Sequence, residues 1–414
     1  MSTLLIKNIG LLATSPDSSI KKGIHQKDVL LMKDAYVLCE DGVIKEYGND
    51  YVLPEADEVI NAKGRLVTPG LVDAHTHLIF GGWRQNEMAM KLNGAGYLDI
   101  LRAGGGILST VKETRKASKE ELYQKAVEAL DEMLSLGTTT CEAKSGYGMN
   151  LEDEVKQLEA IHELNENHPM DLVATYLGAH AYPEEYINNH EGYINEICEE
   201  VIPYVAEHNL AEFCDVFCET GVFSKEESRR ILLKGKEYGL KSKIHADEID
   251  AIGGSVLAGE IHAVSAEHLI VCNEEGIEAL SKGSVIACLL PATSLYLSAE
   301  FAKARKMIEN DVAIAFGTDF NPGSCPCLNP QLVMNLGCLK YRMTPEEVLN
   351  AMTINAAAAI GRADKVGSIE PGKQADLVIW DAMDLNYLCY RMGSNLAHRV
   401  IKKGETVYLN EETD

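Results

Sequence analysis

The chain has 414 residues, 46% hydrophobic and 24% charged, a composition typical of a globular protein with one large domain or a large and a small one. Its 63 acidic and 38 basic residues give a formal net charge of −25, which argues against nucleic acid and anionic membranes as partners because both need clustered Lys and Arg. No apolar run reaches the ~18–20 residues of a membrane-spanning helix, and the first residues lack a signal peptide's basic start, so we expect a cytoplasmic protein with reduced cysteines.

Both ends of the chain are predicted to form β-strands. The first residues alternate short apolar segments with turns, as in "TLLIKNIGLLAT" and "DEVINAKGRLVTPG", which is typical of a small antiparallel unit. The carboxyl end repeats this texture in "GSIEPGKQADLVIWDA" and "RVIKKGETVYLN". We therefore predict one small β-rich domain composed of residues 1–66 and 362–414.

Between these ends, short apolar segments alternate with longer helical ones. Helices are predicted over 119–136, 150–167 and 224–237. Eight strands are predicted, at 71–75, 138–143, 171–178, 213–219, 241–246, 263–268, 284–289 and 312–317. This rhythm indicates an α/β protein whose residues 67–361 form a (β/α)8 TIM-type barrel. A doubly wound open sheet is the alternative, although no G-x-G-x-x-G opens the first β-α unit.

The stretch "LVDAHTHLIFGG" places His75 and His77 where the first barrel strand ends. Residues i and i+2 of a strand point to the same side, so the two imidazoles project together. Such a pair can bind zinc or iron, but an isolated H-x-H is also an ordinary polar strand-to-loop junction. The other strand ends must decide between these interpretations.

Further polar residues end four more of the predicted strands, and barrel enzymes build their sites from such ends. These residues are His180 after strand 3, His245 and Glu248 after strand 5, His268 after strand 6, and Asp319 after strand 8. Their convergence favours one metal ion, zinc or iron, held by His75, His77, His245 and Asp319. Three imidazoles and a carboxylate with room for water form a hydrolytic arrangement, in which Asp319 takes the water's proton and His268 stabilises the oxyanion.

These strand-end residues, together with the β-rich termini, resemble the amidohydrolase superfamily. The resemblance implies that the two termini form a small β-sandwich domain. Members with two metals usually bridge them by a carboxylated lysine after strand 4, where this chain has "DVFCETG" with Glu219. The resemblance therefore implies one divalent or trivalent metal ion per chain. It also implies a homodimer.

Longer stretches, notably "EAKSGYG", "LGAHAYP" and "GTDFNPGS", resemble a group within this superfamily that opens the ring of an imidazolone propionate by hydrolysing its cyclic amide. Arg84 is the predicted clamp for the substrate's carboxylate, with Tyr97 and Tyr147 as hydroxyl donors. The resemblance further implies substrate contacts from His180, Glu248, Asn321, Gly323 and Ser324. Glu248 would bind the ring amidine and shuttle a proton to the leaving nitrogen.

Three local features bear on the shape of the predicted pocket. "AGGGILST" at 103–110 lacks the ending of a phosphate loop, and we interpret it as flexible backbone over the mouth of the site, a candidate lid. Trp83 is larger than the residue the resemblance implies there. Cys325 and Cys327 are unusual for the group, and no histidine adjacent in sequence points to a catalytic thiol.

Two other functions remain open at this point. One is a deaminase of a purine, pyrimidine or related ring, which would use the same metal and Asp319 but release ammonia. The other is a catalytically inactive relative that serves as a binding protein. The pairing of Arg84 with Tyr147 favours a small carboxylate substrate, and the retention of all four metal ligands favours an enzyme.

Overall fold

A computed structural model describes residues 2–50, 52–94 and 105–411. Two eight-stranded sheets dominate it. The first sheet combines strands from both ends of the chain in the order β16-β15-β14-β5-β1-β2-β3, and β4 pairs with β1. Its strands are β1 (Thr3–Thr14), β2 (Leu30–Glu40), β3 (Val43–Gly48), β4 (Glu58–Asn61), β5 (Leu66–Pro69), β14 (Leu377–Trp380), β15 (Ala397–Lys402) and β16 (Glu405–Leu409).

This terminal sheet has a core of its own. Side chains from both termini, such as Ile6 on β1 and Leu377 on β14, pack into one buried cluster. The predicted β-rich unit from the two ends is therefore present in the structure. Lys402 of this sheet is buried between two carboxylates, with Nζ 2.7 Å from Asp171 Oδ2 and 2.6 Å from Asp376 Oδ2.

The second sheet is a parallel barrel in which the strands follow one another in chain order. Its strands are β6 (Leu71–Asp73), β7 (Thr138–Lys144), β8 (Asp171–Ala179), β9 (Phe213–Cys218), β10 (Lys241–Ala246), β11 (Ser265–His268), β12 (Ile286–Leu289) and β13 (Ile314–Phe316). Each predicted strand overlaps an observed one, and the (β/α)8 prediction is confirmed.

The first and last barrel strands meet just beyond their ends. Thr76 and Phe320 form a parallel β-bridge. The backbone N–H of His77 donates to the Phe320 carbonyl at 2.9 Å, and that of Asp319 donates to the His75 carbonyl at 2.9 Å. The seam of the barrel is therefore made by the residues that flank the predicted metal ligands.

Helices connect the strands and cover the barrel. They are α1 (Glu87–Leu92), α2 (Ile107–Lys116), α3 (Lys119–Ser135), α4 (Leu151–Asn167), α5 (His190–Glu196), α6 (Ile202–Glu207), α7 (Lys225–Glu237), α8 (Gly254–Glu260), α9 (Glu274–Gly283), α10 (Pro291–Tyr296), α11 (Ala304–Glu309), α12 (Pro330–Leu339), α13 (Pro345–Met352), α14 (Ile354–Ala359) and α15 (Leu385–Tyr390). Short 3-10 turns span Gly23–Lys27 and Glu184–Tyr186, and a π-helical turn spans Ile197–Val201.

Local capping explains where two of the predicted helices begin. Ser118 precedes α3 and accepts a hydrogen bond from the backbone of Glu121, whose side chain bonds back to complete a capping box. Ser224 does the same before α7 with Glu227. Because these caps satisfy amide groups that a helix leaves unpaired, the observed starts lie within one residue of those predicted.

The glycine-rich stretch at 103–110 differs from its prediction. Residues 103 and 104 lie outside the described residues, and the last four positions form the first turn of α2 instead of flexible backbone. Gly106 adopts a left-handed φ of 79° before this helix, and its N–H donates to Glu87 Oε1. Within the described ranges, no helix is both long and apolar enough to cross a membrane.

Candidate metal centre and active site

Four buried donor atoms from strands β6, β10 and β13 meet at the carboxyl end of the barrel. His77 Nε2 lies 3.3 Å from His75 Nε2 and 3.3 Å from His245 Nε2. Asp319 Oδ1 lies 3.4 Å from Nε2 of both His75 and His77. Two groups of ligand atoms could hold a metal ion: His75, His77 and His245 form one, and His75, His268 and Asp319 form the other. That His75, His77, His245 and Asp319 together hold one ion stays a prediction.

The spacing of these atoms fits a metal ion. Zinc bonds to imidazole nitrogen at ~2.0–2.1 Å, so tetrahedral ligands lie about 3.3–3.4 Å apart. Asp319 Oδ1 is buried and has no hydrogen-bond partner among the described residues, which is the condition expected of a ligand atom. Three imidazoles and a carboxylate form a donor set suited to zinc or iron.

Two carboxylates contact the candidate ligand imidazoles at Nδ1, the ring nitrogen that does not face the metal site. His75 Nδ1 lies 3.0 Å from Glu267 Oε2, and His245 Nδ1 lies 3.0 Å from Asp215 Oδ2. A carboxylate at Nδ1 places the ring proton on that nitrogen and leaves the Nε2 lone pair for a metal. Glu267 and Asp215 were not predicted from the sequence, because both lie within buried strands and a single charged residue there forms no recognisable motif.

Asp319 is held so that one oxygen faces the histidines. The Thr293 hydroxyl, at the start of α10, donates to Asp319 Oδ2 at 2.6 Å, leaving Oδ1 directed at the metal site. Asp319 and His268 both adopt left-handed φ angles, 56° and 67°, which Asp and His tolerate better than most residues. Thr293 was also missed, because a hydroxyl in "PATS" carries no distinguishing sequence signal.

Burial and charge set the protonation of the site histidines. Burial lowers the pKa of His77 to about 3 and that of His268 to about 4, against the attraction of the Asp319 carboxylate. Burial and Lys144 also oppose the charged form of His75, but contacts with Asp319 and Glu267 outweigh them and raise its pKa to about 9. His77 is therefore neutral at pH 7, as a ligand must be.

Glu248 and His268 lie together on one side of the metal site. Glu248 Oε2 is 3.7 Å from His268 Nε2. Burial of the Glu248 carboxyl, with the nearby negative charge of Asp319, raises its pKa to about 7. A carboxyl with this pKa can both accept and donate a proton near neutral pH.

Tyr147 and His180 line the opposite side. The His180 ring stacks on His77 with centroids 4.9 Å apart, and the Tyr147 ring lies 5.3 Å from His180. Glu154 fixes the loop that carries Tyr147 by accepting hydrogen bonds from three backbone N–H groups of residues 146–149. His180 Nδ1 lies 3.1 Å from the carbonyl of Gly146, which fixes the ring.

Arg84 reaches the loop after β13. Its side chain is only 14% exposed, and a Cβ atom added at Gly323 would lie 1.2 Å from Arg84 Nη2. Gly323 is therefore needed for the guanidinium to lie there. Arg84 Nε is 3.7 Å from Glu87 Oε1 and has no hydrogen-bond acceptor among the described residues.

The Asn321 side chain organises the loop that contains Gly323 and Ser324. Its Oδ1 accepts from the N–H of Gly323 at 2.9 Å and of Ser324 at 2.8 Å, and its Nδ2 donates to the Asp319 carbonyl. The amide is thus already occupied within the loop. The substrate contacts assigned to these three residues stay predictions.

The remaining predicted positions contribute differently. Tyr97 lies outside the described residues. Cys325 is buried with Sγ 3.3 Å from the Thr318 carbonyl, and Trp83 is 47% exposed beside Phe80. Glu219, where a two-metal site would have its lysine, accepts backbone hydrogen bonds from Thr220, Ile249 and Asp250.

Comparisons with known proteins agree with this geometry. A model of the amidohydrolase family matches residues 66–407. Imidazolonepropionases of Alkaliphilus metalliredigens and Fusobacterium nucleatum are 50% identical over 414 residues and 51% over 409, each match covering 98% of both chains. A solved triazine hydrolase variant, 17% identical, has a TM-score of 0.76 over 99% of this chain and 96% of its own, which shows a common fold. The chain belongs to the amidohydrolase family.

Proposed function

We propose that this protein is a hydrolase that opens the cyclic amide C–N bond of 4-imidazolone-5-propanoate to give N-formimidoyl-L-glutamate, the imidazolonepropionase step of histidine degradation. The observation that carries the proposal is a nearly buried arginine packed on Gly323, four residues after the candidate ligand Asp319, in a chain of net charge −25. Such a protein repels anionic substrates in general, so a carboxylate needs a local cation. Relatives with about 50% identity over nearly the whole chain carry this name.

His75, His77, His245 and Asp319 would hold one zinc or iron ion. When bound, such an ion lowers the pKa of coordinated water from ~15.7 toward ~7 and polarises the substrate carbonyl. The Asp319 carboxylate, whose Oδ1 faces His75 and His77, accepts the proton of the attacking water. The Thr293 hydroxyl donates to Oδ2 and keeps the carboxylate in place.

His268 and Glu248 act on the two ends of the breaking bond. His268 stabilises the developing oxyanion of the ring carbonyl. Glu248, with a pKa raised by burial, binds the ring amidine and delivers a proton to the leaving nitrogen. Their separation of 3.7 Å allows both to contact one small ring.

The function is tested by incubating the metal-loaded protein with imidazolone propionate and following the loss of its ultraviolet absorbance. We expect N-formimidoyl-glutamate to form without ammonia. Release of ammonia from a purine or pyrimidine ring, with no reaction on the imidazolone, would identify a deaminase instead. A protein that binds no metal and turns over neither substrate would be an inactive binding relative.

Replacing Arg84 with methionine is expected to lower kcat/KM on imidazolone propionate by roughly 30- to 1,000-fold. Methionine keeps part of the apolar stem but removes the forked donors. A lost charge-assisted bidentate contact costs about 2–4 kcal/mol, at ~1.5–3 kcal/mol for a hydrogen bond to a charged group and 1.36 kcal/mol per tenfold. Steady-state kinetics with metal content measured in parallel provide the check.

An imidazolone without the propionate tail is the matched control for Arg84→Met. The wild type already lacks the clamp contact with this analogue, so the variant should lose little more on it. Equal losses on both substrates would make Arg84 a structural residue and place the carboxylate clamp elsewhere.

Changing Glu248 to glutamine is expected to lower kcat by about 10²-fold or more, within the range of acid–base catalysis. Only the protonated carboxyl donates, so wild-type kcat should fall about tenfold per pH unit above its pKa of about 7, and the variant should lose this limb. The pH profile of kcat measures both effects. Glu219→Gln is the control, because that carboxylate binds backbone N–H groups and the limb should persist; an unchanged limb in Glu248→Gln would remove Glu248 from the role.

Some parts of the expected biology stay predictions. They are the choice of zinc or iron, the homodimer, the cytoplasmic location, and the lack of nucleic-acid and membrane partners. The net charge of −25 supports the last of these.

A further inference from the structure

Five charged side chains are buried in the barrel interior next to the metal ligands. This interior charge cluster consists of Glu142 and Lys144 on β7, Asp215 on β9, Lys243 on β10 and Glu267 on β11, all 0% exposed. Three carboxylates against two ammonium groups leave it one negative charge in excess. The interior of such a barrel is usually filled by branched apolar side chains, so the cluster needs an explanation.

The cluster is one continuous chain of ion pairs. Glu142 lies at its centre, with Oε2 2.8 Å from Lys144 Nζ and Oε1 2.9 Å from Lys243 Nζ. Lys144 Nζ continues to Asp215 Oδ2 at 2.8 Å, and Lys243 Nζ to Glu267 Oε1 at 3.6 Å. Each lysine therefore links the shared glutamate to one outer carboxylate.

The two ends of this chain contact metal ligands. The Asp215 oxygen that binds Lys144 also lies 3.0 Å from His245 Nδ1. At the other end, Glu267 Oε2 lies 3.0 Å from His75 Nδ1. The ion pairs thus run without a break from one ligand imidazole to the other.

Stability does not account for this arrangement. Charges removed from water lose their hydration, and replacing buried ion pairs with well-packed apolar groups often leaves a protein as stable or makes it more so. Carboxylates that contact metal-binding histidines, by contrast, set the orientation and basicity of the rings. The location of the cluster points to this second role.

We propose that Lys144, Lys243 and Glu142 are positioning residues that act as one unit: they hold Asp215 and Glu267, which in turn fix the His245 and His75 rings for metal binding. The proposal rests on the metal centre of the proposed function and not on the identity of the substrate. The proposal is therefore tested by measuring metal affinity in the absence of substrate. A protein that fails to turn over the imidazolone would not contradict it.

The direction in which zinc affinity changes distinguishes positioning of the ligands from Coulomb attraction between the cluster and the ion. Replacing a lysine by methionine makes the cluster more negative, which by Coulomb attraction alone would tighten the binding of a cation. Loss of positioning would weaken it. We expect Lys144→Met and Lys243→Met each to weaken zinc binding by about 10- to 100-fold, the range for residues that support metal ligands.

Zinc affinity is measured by competition with a chromophoric chelator, and ligand geometry by the visible spectrum of the cobalt(II)-substituted protein. Because the two lysines belong to one chain, the double variant should lose less than the product of the single losses. We also expect the cobalt spectrum to change in each variant. Unchanged or tighter zinc binding, or fully multiplicative losses, would overturn the proposal.

Lys402→Met is the matched control. Lys402 is also buried between two carboxylates, but it lies in the terminal sheet on β15. Its loss should lower the melting temperature of the metal-free protein and leave zinc affinity and the cobalt spectrum unchanged. Equal weakening of zinc binding in this variant would show that any buried lysine has the effect, and would also overturn the proposal.

Glu142→Gln keeps the test decisive if the lysine variants fail to fold. Glutamine has the same shape, and it removes the excess negative charge without leaving a carboxylate unpaired. Because the loss of a negative charge would by itself weaken zinc binding, this variant is judged by ligand geometry. We expect the visible spectrum of its cobalt(II) form to change, with the circular dichroism of the metal-free protein unchanged. A wild-type cobalt spectrum in this variant would contradict the assigned role.

Discussion

Substitution of His77 by alanine is expected to remove both the metal and turnover. His77 Nε2 lies 3.3 Å from the corresponding nitrogens of His75 and His245, so its loss opens the centre of the donor set. Without a metal, the attacking water returns from a pKa of ~7 to ~15.7, and we expect kcat/KM to fall by at least about 10⁴-fold. Metal analysis of the purified variant and kinetics at saturating zinc measure the two losses.

His180→Phe is the companion variant for His77→Ala. The His180 ring stacks on His77 but is not one of the candidate ligands, so phenylalanine preserves the stacking and the metal should remain bound. Turnover should fall, because His180 is a predicted substrate contact. Full activity of His77→Ala without metal would refute the metal centre as described.

Substitution of Asp319 by asparagine is expected to reduce kcat by about 10²- to 10⁴-fold, the usual contribution of an acid–base group, with a much smaller change in substrate binding. The amide occupies the same space and can still contact the Thr293 hydroxyl. It cannot accept the proton of the attacking water, which is a step of the chemistry and not of binding. Kinetics on metal-loaded protein give kcat and KM separately.

Asp73→Asn provides the control for this change. Asp73 is also a buried carboxyl at the barrel seam, but it accepts its hydrogen bonds from Thr318 and the His75 backbone. We expect it to lower the melting temperature and to change kcat far less than Asp319→Asn. Wild-type turnover in Asp319→Asn would exclude Asp319 as the base.

The barrel was predictable because short strand-like segments alternate with longer helical ones along the chain, and the candidate ligands lie at or just beyond the ends of three of these strands. His245 and Asp319 are far apart in sequence, yet parallel strands bring their carboxyl ends to the same face. The predicted barrel was therefore enough to place His245 and Asp319 at the same end of the sheet. The start of α2 at Ile107 was not predicted, because the glycines just before it are typical of flexible backbone.

The residues that orient the ligands could not be predicted in the same way. Within a strand, a charged residue normally indicates a solvent-facing side, but both faces of the barrel strands are covered, so Lys144 and Glu267 lie inside. Lys144 pairs with Asp215 two strands away, and Glu267 pairs with Lys243 on the adjacent strand. Which of these side chains meet depends on the register of the strands, and register is a property of the folded sheet. Only the structure could reveal that these charges pair with each other.

The bridge between Thr76 and Phe320 has a consequence for the order of folding. The candidate ligands on either side of this bridge follow the first and the last barrel strand. The donor set is therefore complete only after these two strands have come together and the barrel has closed. Nascent chains still lacking the last strand have the histidines but no carboxylate to join them. A metal that binds only the closed barrel would stabilise it, and mass action would shift the equilibrium between open and closed barrel toward the closed form. Such contacts between distant parts of the chain form slowly, so we expect metal present during synthesis to raise the yield of folded protein.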